Sequence, residues 1–291
     1  MFKGSIVALI TPFRNGGVDE EALRRMVDWH IEQGTNGIVP VGTTGESPTL
    51  SHEEHKQVVE VVVSQVAGRV AVIAGAGSNN TIEAVDFTKH AKEAGADAAL
   101  HVAGYYNRPS QEGLYQHFKA VNDAVDLPII VYNIPPRAVV DIQPETMARI
   151  AGLKNVVGVK DATGDLSRPS KERMLIGKKW NMLSGEDGTA LGYNAHGGHG
   201  CISVTANIAP KLCSEFQAAC ADGDYRLALD YQDRLMPLHV ALFSEPSPAP
   251  TKYAASVLGL CEPDARLPVV PIGDATRDKV QSAMRHAGVL N

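Results

Sequence analysis

The chain has 291 residues, 44% of them hydrophobic and 21% charged, with a formal net charge of −6 when histidines are neutral. That balance is globular and excludes a disordered or collagenous chain. The acidic pI near 5.9, with no basic run longer than Arg24-Arg25 or Lys178-Lys179, argues against a nucleic-acid or acidic-membrane partner.

Residues 6–10 form a first apolar run, cut by Thr11-Pro12. It is too short to span a membrane and lacks the charged start and cleavage site of a signal peptide, so it reads as a buried strand. Further Val/Ile-rich runs follow at 37–41, 70–74, 98–102, 128–132, 156–160, 182–183 and 201–204. They do not alternate polar with apolar, as expected of parallel strands buried on both faces. Between them lie helix-length amphipathic segments at 20–33, 52–66, 81–94, 111–125, 144–151, 168–176, 188–195 and 210–221. Two open on cap signals, Ser51 with Glu54 and Asn80 with Glu83. Eight β-then-α units predict an α/β fold, a (β/α)8 TIM barrel; a doubly wound sheet rarely uses so many regular units. Beyond Asp224 the pattern is helical, over 225–243, 250–258 and 275–287, with a Pro-rich connector at 245–250. The expected organisation is a barrel with the catalytic site in residues 1–223, and a C-terminal helical appendage in 224–291. The four cysteines, Cys201, Cys213, Cys220 and Cys261, form no CxxC pair and are expected to be reduced thiols of a cytoplasmic protein.

The predicted strand ends concentrate the unusual residues. Strand two ends at Gly42-Thr43-Thr44-Gly45-Glu46, strand four leads to Tyr105-Tyr106-Asn107, and strand five gives Tyr132-Asn133-Ile134-Pro135-Pro136-Arg137. Strand six ends at Lys160-Asp161, strand seven at Ser184-Gly185-Glu186-Asp187, and strand eight runs into Ser203-Val204-Thr205. In TIM barrels the carboxyl ends of the strands build the active site. Lys160 closes the apolar run Val156-Val157-Gly158-Val159, where an ammonium is costly and a neutral amine can form a Schiff base with a carbonyl. A lysine snorkelling from a strand end is the alternative. Tyr132 can shuttle protons one strand away, or be a rim tyrosine with a satisfied hydroxyl. Thr43 and Thr44 lie in a Gly-bounded turn whose N–H groups can cradle a carboxylate. Arg137, stiffened by two prolines, suits a second carboxylate or plain solvent. His52-Glu53-Glu54-His55 has its histidines three apart rather than the four of a metalloprotease helix, so no metal site is expected. Gly75-Ala76-Gly77 lacks the third glycine of a dinucleotide fingerprint, and His196-Gly197-Gly198-His199-Gly200 reads as a turn.

Taken together, Gly42-Thr43-Thr44-Gly45-Glu46-Ser47, Tyr105-Tyr106-Asn107-Arg108-Pro109-Ser110, Tyr132-Asn133-Ile134-Pro135-Pro136-Arg137 and Val159-Lys160-Asp161-Ala162-Thr163-Gly164 resemble the dihydrodipicolinate synthase family of pyruvate-dependent class I aldolases. The resemblance extends through Ser184-Gly185-Glu186-Asp187, Ile202-Ser203-Val204-Thr205-Ala206-Asn207 and Arg234-Leu235-Met236-Pro237-Leu238, so it covers essentially the whole chain. It implies that Lys160 forms an imine with pyruvate, and that the enamine attacks aspartate 4-semialdehyde. It implies a proton relay of Tyr132, Thr43 and Tyr106, the last reaching in from a neighbouring subunit of a homotetramer built as a dimer of dimers. Thr44 would hold the pyruvate carboxylate and Arg137 that of the second substrate, with Ile202 and Gly185 lining the pocket. No cofactor is implied, because the imine is the electron sink. A lysine feedback site would fall on Ser47, Pro48, His52, His55, Asn79, Glu83 and Tyr105. Departures from the family pattern are Pro48, Ala103-Gly104 before Tyr105, where glycine is expected to loosen the chain, and His199. The rival readings are a related sugar-acid lyase such as N-acetylneuraminate lyase, and a non-catalytic amino-acid-sensing barrel. Arg137 favours a short carboxylated aldehyde over a sugar.

Overall fold

The computed structural model describes residues 1–290. Eight parallel strands close into a barrel: β1 (Gly4–Ala8), β2 (Gly37–Val39), β3 (Ala71–Gly75), β4 (Ala98–Val102), β5 (Ile129–Asn133), β6 (Val156–Asp161), β7 (Asn181–Ser184) and β8 (Gly200–Ser203). Each pairs with the next in sequence, and β8 returns to β1 through Ser5↔Cys201 and Ile6↔Ile202. The strands read as unbroken apolar runs because both faces are covered. Ile6, Ala8, Val39, Ile73, Leu100, Ile130, Leu183 and Ile202 fill the interior. Their neighbours Val7, Ile38 and Val72, and Val131, Val159 and Met182, pack outward under the helices.

The ring of helices comprises α1 (Glu20–Glu32), α2 (His52–Val66), α3 (Thr81–Ala94), α4 (Gln111–Ala124), α5 (Pro135–Ala138), α6 (Pro144–Ala151), α7 (Arg168–Ile176), α8 (Ala190–Ala195) and α9 (Pro210–Ala221). The Ser51–Glu54 capping box forms as the sequence signals, and Asn80 accepts from the Ile82 N–H to start α3. Helices α10 (Tyr225–Ala241), α11 (Ala249–Val257) and α12 (Asp274–Ala287) follow. Their Leu235, Leu238, Ala254, Val280 and Met284 share one continuous core with Val7, Leu9 and Leu23 of the barrel. No helix among the described residues is long and apolar enough to cross a membrane.

Three features were not predicted. A small hairpin, Phe13–Arg14 with Gly17–Val18, follows β1; its two-residue strands carry no apolar run to read. The Pro-Pro segment after β5 turns into the short helix α5, since proline is tolerated in a first helical turn. The predicted helix 188–195 splits into a 3-10 turn, Asp187–Thr189, and α8. That turn is held by side chains: Asp187 accepts from the Val204 and Thr205 N–H groups, and Glu186 from the Gly188 N–H.

Candidate active site

Strands β5 and β6 are paired so that Tyr132 stands opposite Lys160, one register step past Val131 opposite Val159. Because side chains alternate along a strand, Tyr132 and Lys160 turn inward while Val131 and Val159 turn out. Lys160 is only 6% exposed, and its Nζ lies 4.1 Å from the centre of the Tyr132 ring. Gly185, just past β7, lies against the lysine stem: a Cβ there would be 3.0 Å from both Lys160 Cγ and Cε. The Gly185 N–H donates to the Asp161 carbonyl at 2.6 Å, locking the ends of β6 and β7 together. Ile202 on β8 is buried in the barrel interior. Burial raises the Glu186 carboxyl above its ordinary range, with Asp187 adding to the effect and Lys160 opposing it.

A cleft of about 250 Å³ opens at the carboxyl ends of β2 to β5. Its walls include Thr43, Ser47, Tyr105, Tyr132 and Arg137. Lys160 is not among its walls and meets it through Tyr132. The turn after β2 is tight. The Gly45, Glu46 and Ser47 N–H groups bond back to Gly42 and Thr43 carbonyls, and Val41 and Glu46 adopt left-handed backbone (φ 47° and 59°). Among the described residues the Thr43 and Thr44 N–H groups have no partner within the chain, which leaves them available to an anion. Arg137, exposed on α5, has no ion-pair partner among the described residues.

Tyr106 is not brought to this cleft. It is 90% exposed on a left-handed backbone (φ 65°), projecting from the segment after β4. That segment is tied down by Asn107, whose Nδ2 donates to the Asn79 carbonyl at 2.9 Å. Gly104 there packs against Pro109, whose Cγ would lie 3.1 Å from an added Cβ, so a larger residue would have to displace the proline ring. His199 also finds a role: its Nδ1 accepts from the Met182 N–H at 3.2 Å, fastening the turn before β8 to β7.

The remaining sequence candidates gather at the starts of α2 and α3. His52 Nε2 pairs with Glu83 Oε1 at 2.7 Å, and Ser78 bonds the other Glu83 oxygen. His55 is buried and stacks on Phe87 with ring centres 3.9 Å apart; burial pushes its pKa down to about 4. Ser47, Pro48 and Tyr105 face the cleft, and Asn79 holds Asn107.

Sequence reasoning missed Glu46 and Lys252. Both are buried, with Lys252 Nζ 2.5 Å from Glu46 Oε1 and 3.9 Å from the centre of the Phe13 ring. Lys252 also donates to the Asp264 carbonyl, and the other Glu46 oxygen accepts from the Arg266 N–H. Burial lowers the Lys252 pKa, with Glu46 opposing the shift. The C-terminal region thus anchors the very turn that presents Thr43 and Thr44.

Residues 1–287 match the Dihydrodipicolinate synthetase family. The chain belongs to this family. It is 67% identical, over the whole length of both chains, to 4-hydroxy-tetrahydrodipicolinate synthase of Parvibaculum lavamentivorans. Among solved structures it is 47% identical to dihydrodipicolinate synthase from Acinetobacter baumannii, determined with pyruvate, with TM-score 0.97 and both chains fully covered. It is 36% identical to the family enzyme from Cyanidioschyzon merolae, determined with lysine bound, with TM-score 0.95 and 99% of each chain covered. Family members thus share this barrel together with its helical C-terminal region, not the barrel alone.

Proposed function

We propose that the chain is a 4-hydroxy-tetrahydrodipicolinate synthase, condensing pyruvate with L-aspartate 4-semialdehyde on the route to diaminopimelate and lysine. The observation that carries the reading is the buried Lys160 amine lying against Tyr132 across the β5–β6 pair. The Lys160 amine adds to the pyruvate ketone and water leaves, giving an imine. Loss of a methyl proton makes the enamine, whose carbon attacks the aldehyde. The adduct's own amino group then displaces Lys160 and closes the ring, so the imine serves as electron sink and no cofactor is called for. Tyr132, Thr43 and Tyr106 move the protons; Thr44 holds the pyruvate carboxylate on the free N–H groups of its turn; Arg137 takes the carboxylate of the aldehyde. Gly185 and Ile202 shape the pocket around the imine. The exposed, backbone-strained Tyr106 fits delivery into a neighbouring subunit of a dimer-of-dimers homotetramer. Ser47, His52, His55, Asn79, Glu83 and Tyr105 form a site for lysine as feedback effector, in keeping with the lysine-bound relative. The enzyme works in the cytoplasm, where its four thiols stay reduced. Residues 1–223 carry the chemistry, and residues 224–291 brace it through Lys252.

Borohydride reduction in the presence of pyruvate, followed by peptide mass spectrometry, tests the chemistry. A pyruvate-derived adduct on Lys160 is expected. Its absence from folded protein would overturn the Schiff-base reading. Activity unchanged by lysine up to millimolar concentrations would remove the effector site.

A further inference from the structure

Arg137 stands on the segment between the end of β5 at Asn133 and the start of α6, with Ile142 buried at its far end. Among the described residues no ion pair holds the guanidinium, so its position follows how that segment's backbone is fixed. The neck of the segment is fastened twice. The first fastening is local: Asn133 Nδ2 donates to Asp141 Oδ1 at 2.8 Å, and the Ile142 N–H donates to Asn133 Oδ1 at 3.2 Å. The second comes from the next β/α unit, where Arg168 opens α7. Its Nη2 donates to both Asp141 oxygens, at 2.5 and 2.6 Å, and its Nη1 to the Ile142 carbonyl at 3.0 Å. Gln111 and Gln143 add bonds to the Asp141 carbonyl and Oδ2.

Asn133 and Arg168 are 1% and 4% exposed, and neither they nor Asp141 lines the cleft. A buried guanidinium is costly, and a well-packed apolar residue could fill the same space. What an apolar residue could not do is grip a carboxylate and a carbonyl in one plane, which fixes the neck in angle as well as in distance. Asn133 also directly follows Tyr132 and pairs across the strands with Asp161, which directly follows Lys160. The clamp is therefore built onto the two strands that carry the imine chemistry, and it sets Arg137 relative to them.

We propose that Asn133, Asp141 and Arg168 are positioning residues for Arg137, and so determine recognition of the carboxylate on the second substrate. The inference rests on Arg137 being that receptor in the proposed reaction. Lysine cannot reproduce the planar two-armed grip, so Arg168→Lys lets the segment drift while keeping the charge. Misplacement of a binding group by a fraction of an ångström is expected to raise the KM for the aldehyde about tenfold. The KM for pyruvate and borohydride trapping on Lys160 should stay within about twofold, because the clamp acts on the segment and not on the imine.

The test is steady-state kinetics with each substrate varied separately, on Arg168→Lys, Arg137→Ala and the double variant. The expected result is non-additive: once Arg137 is gone, Arg168→Lys raises the aldehyde KM no further. Asp141→Asn, which keeps an oxygen facing Asn133 but loses one arm of the grip, gives the same pattern and serves if the Arg168→Lys chain does not fold. Equal rises in both KM values, or full additivity with Arg137→Ala, would overturn the proposal and make the clamp a general brace. An aldehyde KM unchanged in Arg137→Ala would instead remove the receptor role itself, and the proposal with it, while Lys160 trapping still judges the reaction class.

Discussion

Glu172 on α7 offers a sharp test of the electrostatics around Asp161 and the end of β6. Its Oε2 accepts from Trp180 Nε1 at 3.0 Å, while its Oε1 has no partner among the described residues. Arg168, the nearby cation, is committed to Asp141 and offsets only part of the cost of burying Glu172 beside Asp161. Burial therefore pushes the Glu172 pKa up from an ordinary 4.5 to about 7, with Asp161 acting in the same direction. Between those two pH values the folded chain holds a proton that the unfolded chain has released. Its stability contribution is intact below pH 4.5 and is lost as pH rises through 7. At about 1.4 kcal/mol per unit, the loss comes to roughly 3 kcal/mol. Glu172→Gln keeps an oxygen for Trp180 and has no proton to lose. The variant should match the wild type near pH 4.5 and exceed it by about 3 kcal/mol at pH 8. Urea denaturation at the two pH values, at fixed protein concentration and followed by tryptophan fluorescence, measures the difference. His30 and His101, pushed by burial down to about 3, titrate alike in both proteins and cancel. A stability gap of equal size at both pH values would refute the reasoning.

Lys252→Met leaves Glu46 buried without its cation and should cost about 3–5 kcal/mol in urea denaturation. Adding Glu46→Gln to that variant should recover much of the loss, and a loss that persists would mean Lys252 matters through packing alone. If one chain supplies the tyrosine and another the lysine, as proposed, Tyr106→Phe and Lys160→Ala chains should each be nearly inactive yet regain activity when refolded together. A mixture that stays inactive would place the whole relay within one chain. Gly185→Ala sets a methyl 3.0 Å from the Lys160 stem and should lower kcat by about a hundredfold, with a near-native melting temperature. A kcat within twofold of wild type would show that the stem has room to move.

Much of this architecture was legible because doubly covered strands leave continuous apolar runs. The predicted bounds of α2, α3, α6, α7 and α9 agree with the structure, each with a cap or proline at its start. Strand β7 read as only Met182–Leu183. Its flanking Asn181 and Ser184 are polar but buried, Asn181 bonding both the N–H and the carbonyl of Phe2. Lys160 and Tyr132 were legible as residues at the ends of neighbouring strands, and the structure brings them together. Glu46 with Lys252, and Asp141 with Arg168, were not: partners far apart in sequence leave no local pattern, and hydropathy counts such charges as surface. The outward placing of Tyr106 was expected only from the family resemblance, not from any local pattern.

The ion pair between Glu46 and Lys252 also bears on how the protein is made. A chain leaving the ribosome presents β1 with one open edge until β8 has emerged, and long-range closure of this kind is slow and exposed to mispairing. Even a closed barrel would lack the cation that holds the Thr43–Thr44 turn until α11 is out. Catalytic competence is then expected only near the end of synthesis. A nascent chain stalled short of Lys252 lacks both that cation and the Ala254, Val280 and Met284 side of the shared core, and should trap little pyruvate.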